Sequence, residues 1–190
     1  MEWSWGFYAE VKANGKTISA VRILKKRLSL YPNTIFFTNT EIKGIKNKTF
    51  YFSNCDELTK LLKTEINSTS RDGYVIFIDE IHVVLAELFG KTDPIFLMFL
   101  SQQRKLNINI IGTSQMYNKC PRVIRDYLRQ SGQIIICSNL FKLLQINKII
   151  NMDSVEEDSK NNLVFKGCKF DWFFHNLDLY NNCKSIVAII

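Results

Sequence analysis

The sequence lacks the cysteine patterns of a disulfide framework or of a zinc site. It has five cysteines, but they are scattered along the chain and no two form a Cys-x-x-Cys pair. The five are Cys55, Cys120, Cys137, Cys168 and Cys183. We therefore expect free thiols in a reducing compartment.

Long hydrophobic runs are also missing. No apolar stretch approaches the roughly 18 residues that a membrane-spanning helix needs. The Met1-Glu2-Trp3 start lacks the basic region followed by an apolar one that marks a secretion leader. No internal repeat or low-complexity tract is present. These absences predict a soluble intracellular protein without a membrane span.

The composition is that of a globular protein. Of 190 residues, 46% are hydrophobic and 13% aromatic, which suits one domain with a full core. We expect a single domain over residues 1–190, with a core at about 5–139 that residues 140–190 complete. The formal charge of +7 favours a polyanionic partner such as nucleic acid, although a basic charge is as often only a solubility feature.

The first motif is a Gly-Lys-Thr corner between a predicted strand at residues 5–9 and a helix with apolar residues at helical spacing. In a phosphate-binding loop, glycine allows close backbone approach, amide groups at the helix start hold phosphate oxygens, lysine neutralises charge and threonine reaches Mg²⁺. The residues assigned to nucleotide binding are Asn14, Gly15, Lys16, Thr17 and Ile18. The alternative is an ordinary strand-turn-helix with a solvated lysine.

One position departs from the usual loop pattern. A phosphate loop normally begins with a glycine five residues before the Gly-Lys pair, and here that position is Glu10. A carboxylate there would point towards the anionic phosphates. The departure puts nucleotide affinity in question.

Two adjacent carboxylates follow the most apolar short run, residues 74–78. A continuous hydrophobic strand indicates a central parallel strand covered on both faces, and α/β sheets place ligands at the carboxyl ends of such strands. Asp79 would hold Mg²⁺ through water, and Glu80 would orient and deprotonate an attacking water. The alternative is that both acids simply begin a helix.

Gln115 is a third candidate site residue, because it follows a predicted strand that begins at residue 108. An amide there would contact the γ-phosphate or the attacking water, whereas the alternative is a structural or solvated glutamine. Gly-Lys-Thr after a first strand and hydrophobic-Asp-Glu after a later one is the arrangement of a phosphate-loop nucleoside triphosphatase.

Further helices are predicted at residues 54–66, 81–88, 95–105 and 121–130, and further strands at 34–38, 50–52 and 133–137. Asn54 is the expected cap of the first of these helices. Residues 152–162 are predicted to be an acidic loop, and residues 163–165 and 170–174 to be strands paired near the sheet edge. His82 is interpreted as a helix-surface residue and His175 as structural.

A basic stripe is predicted on the helix at residues 121–130. Arg122, Arg125 and Arg129 recur at helical spacing and lie on one face. They would bind the DNA backbone or a neighbouring subunit, or else form a solvated face.

The order of these parts resembles the FtsK-HerA superfamily of DNA-pumping ATPases. Five motifs of this sequence carry the resemblance, in this order: Gly-Lys-Thr, Ile-Asp-Glu, a helix that ends in Gln-Arg-Lys-Leu, a strand that leads to Thr-Ser-Gln, and Pro-Arg-Val-Ile-Arg. The resemblance covers residues 7 to 139 and is nearest to viral genome-packaging ATPases and to zonula-occludens-toxin-like assembly proteins of filamentous phages. An Asp-Leu-Tyr-Asn segment at residues 178–181 is similar to a closing motif of such viral ATPases.

The resemblance implies an α/β fold with a RecA-like phosphate-loop core, in which a mostly parallel central sheet is flanked by helices. It also implies ATP and Mg²⁺ as cofactors, ATP bound between neighbours in a homo-oligomeric ring, and double-stranded DNA, a viral genome, as the partner, together with capsid proteins. Lys16, Thr17, Asp79, Glu80 and Gln115 would take the roles given above.

The same resemblance assigns a trans arginine finger, a residue that reaches into the next subunit's site. Arg104 matches the arginine before the sensor strand and is the first choice, with Arg125 and Arg129 in reserve. Packaging is favoured over extrusion because no membrane helix is found, which places the protein in the host cytoplasm or with the virion. The alternatives are a phage-assembly ATPase working on single-stranded DNA, and a catalytically weak structural module that binds nucleotide or DNA.

Overall fold

A computed structural model describes residues 5–9, 15–66, 72–85, 94–115, 120, 122–141, 143–152, 155–157, 163–165 and 167–175. The strands are β1 (Trp5–Ala9), β2 (Ile35–Thr38), β3 (Thr49–Tyr51), β4 (Tyr74–Ile78), β5 (Ile108–Ser114), β6 (Gly132–Leu140), β7 (Leu144–Asn151), β8 (Val155–Glu157), β9 (Leu163–Phe165) and β10 (Lys169–Phe174). The helices are α1 (Lys16–Leu30), α2 (Cys55–Glu65), α3 (Ile81–Val84), α4 (Pro94–Gln102) and α5 (Arg122–Ser131).

Eight of these strands form one sheet in the order β10-β7-β6-β1-β5-β4-β2-β3. The six strands from β6 to β3 in this order are parallel to their neighbours, and β7 and β10 add two antiparallel pairings at one edge. The first strand of the chain is therefore internal, between β5 and β6. The predicted mostly parallel sheet flanked by helices is confirmed.

Helices cover both faces of the parallel part. The side chains of β4 are all buried, and they alternate between two clusters because successive residues of a strand point to opposite faces. Val75 and Phe77 pack in the cluster that contains α1, whereas Ile76 and Ile78 pack in the cluster that contains α2, α4 and α5. A strand covered on both faces has to be apolar throughout, which accounts for the unbroken run.

Local sequence accounts for the helix starts. The Asn54 side chain accepts a hydrogen bond from Glu57 N at 2.9 Å, and Glu57 Oε2 accepts one from Ser53 N at 2.7 Å, so the predicted cap of α2 is confirmed. Within the described helices, none combines the length and the apolar character needed to cross a membrane.

The C-terminal third differs from the sequence-based expectations. No strand was predicted at residues 144–151, yet β7 lies there and pairs with β6, and β8 falls inside the predicted acidic loop. The expected pairing of residues 163–165 with 170–174 is wrong, because β9 pairs with β8 and β10 pairs with β7. The usual alternation is inverted in β7: Gln145 and Asn147 are buried, whereas Leu144 and Ile146 are only half-buried. A pattern that expects apolar residues inside and polar ones outside therefore misses this strand.

Candidate active site

The start of α1 is built to present backbone amides. Gly15 precedes the helix in the left-handed conformation (φ 73°, ψ 21°), which glycine adopts without steric cost, and no side chain caps the helix. Its carbonyl accepts a hydrogen bond from Ser19 N at 2.9 Å. Lys16 is largely buried, and Ile18 is buried, so Ile18 can offer a ligand only its backbone. Glu10 and Asn14 lie outside the described residues.

The Gly-Lys-Thr corner and the two acids meet. Thr17 Oγ1 donates a hydrogen bond to Asp79 Oδ1 at 3.2 Å, although 62 positions separate the two residues. The sheet order explains the contact, because β1 and β4 both flank β5 and their carboxyl ends lie at the same edge. A hydroxyl beside a carboxylate is the kind of oxygen donor set that Mg²⁺ prefers, so these two residues fit the expected cation.

Asp79 is held in place by its neighbours. Thr113 Oγ1 donates to the same Asp79 Oδ1 at 2.6 Å. The Asn39 carboxamide bonds the Asp79 backbone twice: its Oδ1 accepts from Asp79 N at 2.7 Å, and its Nδ2 donates to Asp79 O at 2.8 Å. Thr17 of α1 and Thr113 of β5 thus orient the carboxylate, and Asn39, which follows β2, holds the backbone of the same residue.

Glu80 adopts an uncommon backbone conformation. Its φ of 52° and ψ of 54° lie in the left-handed region, which costs a non-glycine residue on the order of 1–3 kcal/mol. Glu80 N donates to Thr113 Oγ1 at 2.9 Å, which helps to hold this conformation. Although Glu80 occupies the N-cap position of α3, its side chain makes no cap hydrogen bond. The helix-start alternative therefore does not account for this carboxylate.

The Glu80 carboxylate lies among polar groups instead. Its Oε1 accepts a 3.4 Å hydrogen bond from Gln115 Nε2, so the structure brings together two residues predicted at separate strand ends. Its Oε2 is buried and lies 3.2 Å from His82 Nδ1. His82 Nδ1 is also 3.1 Å from Ser114 Oγ, and its side chain is only 13% exposed, so it belongs to this site and not to a helix surface.

At the end of β4, the partly exposed Glu80 carboxylate thus follows the Asp79 carboxylate that two threonine hydroxyls hold. Thr113, Asn39, Ser114 and His82 complete this arrangement, and the sequence did not identify them as site residues. The Thr-Ser-Gln triplet contained two of them, but nothing in the triplet showed that Thr113 contacts Asp79 and Glu80 together.

Arg104 is placed far from this site in its own chain. Because α4 ends at Gln102, Arg104 lies in the turn before β5 instead of on the predicted helix, and it is exposed. The candidate site is at the carboxyl end of β5, and a seven-residue strand spans roughly 20 Å. Arg104 therefore cannot serve the site of its own chain, and any role in catalysis requires a second copy.

The arginines of α5 are not equivalent. Arg122 is exposed and its Nε lies 3.7 Å from Asp126 Oδ2. Arg125 is half-buried near Cys120, whose pKa is raised to about 11 by burial, while a hydrogen bond with Ser114 and the charge of Arg125 oppose that rise. The side chain of Arg129 lies outside the description. The predicted single basic stripe is therefore solvated at Arg122 but turned inward at Arg125.

Several solved structures share the fold. No family model matches the chain, and no curated protein matches its sequence. The N-terminal domain of zonular occludens toxin from Neisseria meningitidis is 15% identical, with a TM-score of 0.63 over 97% of this chain and 100% of that one. The DNA-packaging ATPase B204 from Sulfolobus Turreted Icosahedral Virus is 12% identical, with a TM-score of 0.61 over 90% and 98%.

A third similar structure holds a nucleotide analogue. The genome packaging NTPase B204 from Sulfolobus turreted icosahedral virus 2, in complex with ATP-gammaS, is 11% identical, with a TM-score of 0.57 over 85% of this chain and 95% of that one. Both groups named by the sequence resemblance are thus represented among the structural neighbours, and the resemblance is confirmed as one of fold.

Proposed function

We propose that this chain hydrolyses ATP at the site formed by α1 and the carboxyl ends of β4 and β5. The observation that carries the proposal is the hydrogen bond between Thr17 and Asp79, because it joins the phosphate-loop corner to the paired acids. The neighbouring structures named as ATPases or NTPases support it. The amides at the start of α1 and the Lys16 ammonium would hold the phosphates.

Thr17 and Asp79 would hold Mg²⁺, which when bound offsets the charge that develops on the phosphoryl oxygens. Glu80 orients the attacking water and takes its proton on its carboxylate, which water can reach because the side chain is 38% exposed. The Gln115 amide would sense the terminal phosphate, and its 3.4 Å hydrogen bond to Glu80 Oε1 supports this role.

We further propose that hydrolysis moves double-stranded DNA through a homo-oligomeric ring of this chain. The DNA-packaging role named for the viral neighbour supports this, as does the net charge of +7. Arg104 would supply the trans arginine, since its position in the fold rules out the site of its own chain. A phage-assembly role on single-stranded DNA is the second candidate, favoured by the zonular occludens toxin neighbour.

The test is phosphate release with and without long double-stranded DNA. Lys16→Ala and Glu80→Gln should each reduce DNA-stimulated turnover by at least about a hundredfold, because they remove phosphate binding and water activation. Lys26→Ala, on the exposed side of the same helix, is the matched lysine control. Glu65→Gln is the matched carboxylate control, since the Glu65 carboxylate pairs with Lys48 at 2.8 Å and its backbone carbonyl bonds Tyr74, the first residue of β4, whereas the site is at the other end of that strand.

The same assay separates the candidates. Stimulation by single-stranded DNA but not by duplex DNA would favour the phage-assembly role. Absence of ATP turnover under all conditions would instead favour a catalytically weak module that binds nucleotide or DNA. If Arg104 acts in trans, specific activity rises with protein concentration and Arg104→Ala abolishes that rise. Activity that is flat with concentration would contradict the Arg104 assignment.

A further inference from the structure

Two amide side chains are buried where the fold calls for apolar ones. Gln145 and Asn147 lie in β7, within the eight-stranded sheet, and each is at most 1% exposed. Their partners across the strand pair with β6 are Asn139 and Cys137. A buried amide is stabilising only when its donors and acceptors are paired, so fully buried amides in a sheet indicate a specific contact.

The contacts form a chain that ends at the first turn of α1. His175 Nε2 lies 3.0 Å from Gln145 Oε1, which can only accept, so this ring nitrogen carries the hydrogen. Gln145 Nε2 donates to Asn147 Oδ1 at 3.2 Å, and Ser19 Oγ donates to the same oxygen at 2.9 Å. His175 is itself fixed by a 2.7 Å hydrogen bond from its backbone N to Leu143 O.

The Gln145 carboxamide also packs directly against the phosphate-loop glycine. A Cβ added to Gly15 would overlap Gln145 Oε1 and would lie 2.9 Å from Gln145 Cδ. The carboxamide therefore occupies the space into which a side chain at this position would project. Because Gly15 is held in the left-handed conformation, a rigid neighbour at its α carbon limits the conformations that the loop can reach.

We propose that Gln145 is a positioning residue for the nucleotide. It fixes the backbone of Gly15 so that the amides at the start of α1 already point towards the phosphates before ATP arrives. This inference rests on the function proposed above. Pre-organisation lowers the cost of binding, and a ligand's apparent dissociation constant rises in proportion as the binding-competent fraction of the protein falls.

The chain offers a matched control for this glutamine. Gln133 in β6 also bonds an asparagine of β7, since its Nε2 donates to Asn151 Oδ1 at 2.9 Å. That pair is exposed and lies at the opposite end of the same two strands. Gln133→Ala therefore removes a hydrogen bond from a glutamine amide to an asparagine oxygen of β7, as Gln145→Ala does, but at the end of the strands away from Gly15.

The experiment measures binding of a non-hydrolysable ATP analogue with Mg²⁺, ATP turnover, and hydrogen exchange of residues 15–24 without nucleotide. Gln145→Ala should raise the analogue's Kd and the KM for ATP by about tenfold, leave kcat within about threefold and speed exchange. Gln145→Met fills a similar volume without hydrogen bonds, and it should likewise raise Kd and KM and speed exchange. This second variant keeps the proposal testable if the alanine variant folds poorly. Gln133→Ala should match the unmodified protein.

The outcomes are distinct. If the unmodified protein binds the analogue and both Gln145 variants bind it equally well with unchanged exchange, this inference fails and the proposed function stands. If the unmodified protein binds no nucleotide, the proposed function fails and takes this inference with it. A fall in kcat with unchanged KM would also overturn the positioning role, because it would place Gln145 in the chemical step.

Discussion

Thr113 is the residue on which both acids depend, and replacing it with valine tests the site most directly. The change keeps the side-chain shape, so it opens no cavity, but it removes the 2.6 Å bond to Asp79 Oδ1 and the 2.9 Å bond from Glu80 N. A buried hydrogen bond to a carboxylate contributes about 1.5–3 kcal/mol and a neutral one about 0.5–1.5 kcal/mol. We expect Thr113→Val to lower the free energy of unfolding by about 2–4 kcal/mol.

The same substitution should impair catalysis more than binding. Glu80 has a backbone conformation that costs on the order of 1–3 kcal/mol, and the bond from its amide to Thr113 offsets part of that cost. Without that bond the catalytic conformer falls in population by about tenfold for each 1.4 kcal/mol lost. Since a neutral hydrogen bond contributes about 0.5–1.5 kcal/mol, the expected result is a kcat lower by about two- to tenfold.

Urea unfolding followed by circular dichroism measures the stability, and phosphate release at saturating ATP measures kcat. Thr113→Ser is the control, because it retains the hydroxyl and loses only a methyl group. The reasoning would be refuted if the valine and serine variants had unfolding free energies within about 0.5 kcal/mol of each other and equal kcat.

Three further changes have defined outcomes. Gly15→Ala puts a side chain on a left-handed residue with no room for it; it should abolish analogue binding and lower the urea midpoint, whereas binding within threefold of normal would contradict this. Arg22→Ala removes a 2.6 Å ion pair with Asp171, but both side chains are more than one-third exposed, so urea unfolding should show a loss of at most about 1 kcal/mol. Burial raises the pKa of Cys120 to about 11 and of Cys137 to about 12, so both thiols stay protonated in the folded protein while they ionise in the unfolded chain. Stability should therefore be unaffected by these thiols below pH 9 and should fall between about pH 9 and 12, and replacing both with alanine should flatten that fall in urea titrations.

The parallel half of the fold could be predicted because its sequence patterns are local. The buried run at Tyr74–Ile78, the Asn54 cap and the helical spacing of Leu24 and Leu28 each depend on neighbours in sequence. The antiparallel edge could not be predicted in this way. Gln145 of β7 is buried against Gly15, which is distant along the chain, and the spacing of polar and apolar residues in the sequence does not reveal such a contact.

The candidate site shows the same division. Gly15, Thr17, Asp79, Glu80 and Gln115 were identified because each ends a strand or begins a helix, and the sheet order then brought them to one edge. Their supporting residues were missed, since a threonine within a strand has no sequence feature that separates a carboxylate partner from an ordinary core position. The assignment of Arg104 remains a prediction, because a residue that acts on another copy leaves no contact within one chain.

The internal position of β1 also sets an order for assembly on the ribosome. Among the described strands, Trp5–Ala9 pairs with β5 and β6, and the residues that it pairs with are made more than one hundred residues after it. Translation at about 5–20 residues per second therefore leaves this apolar segment without partners for several seconds or longer. The sheet around the candidate site is consequently completed only after β6 has been made, and a chain that ends before residue 132 would leave one edge of β1 without its partner strand.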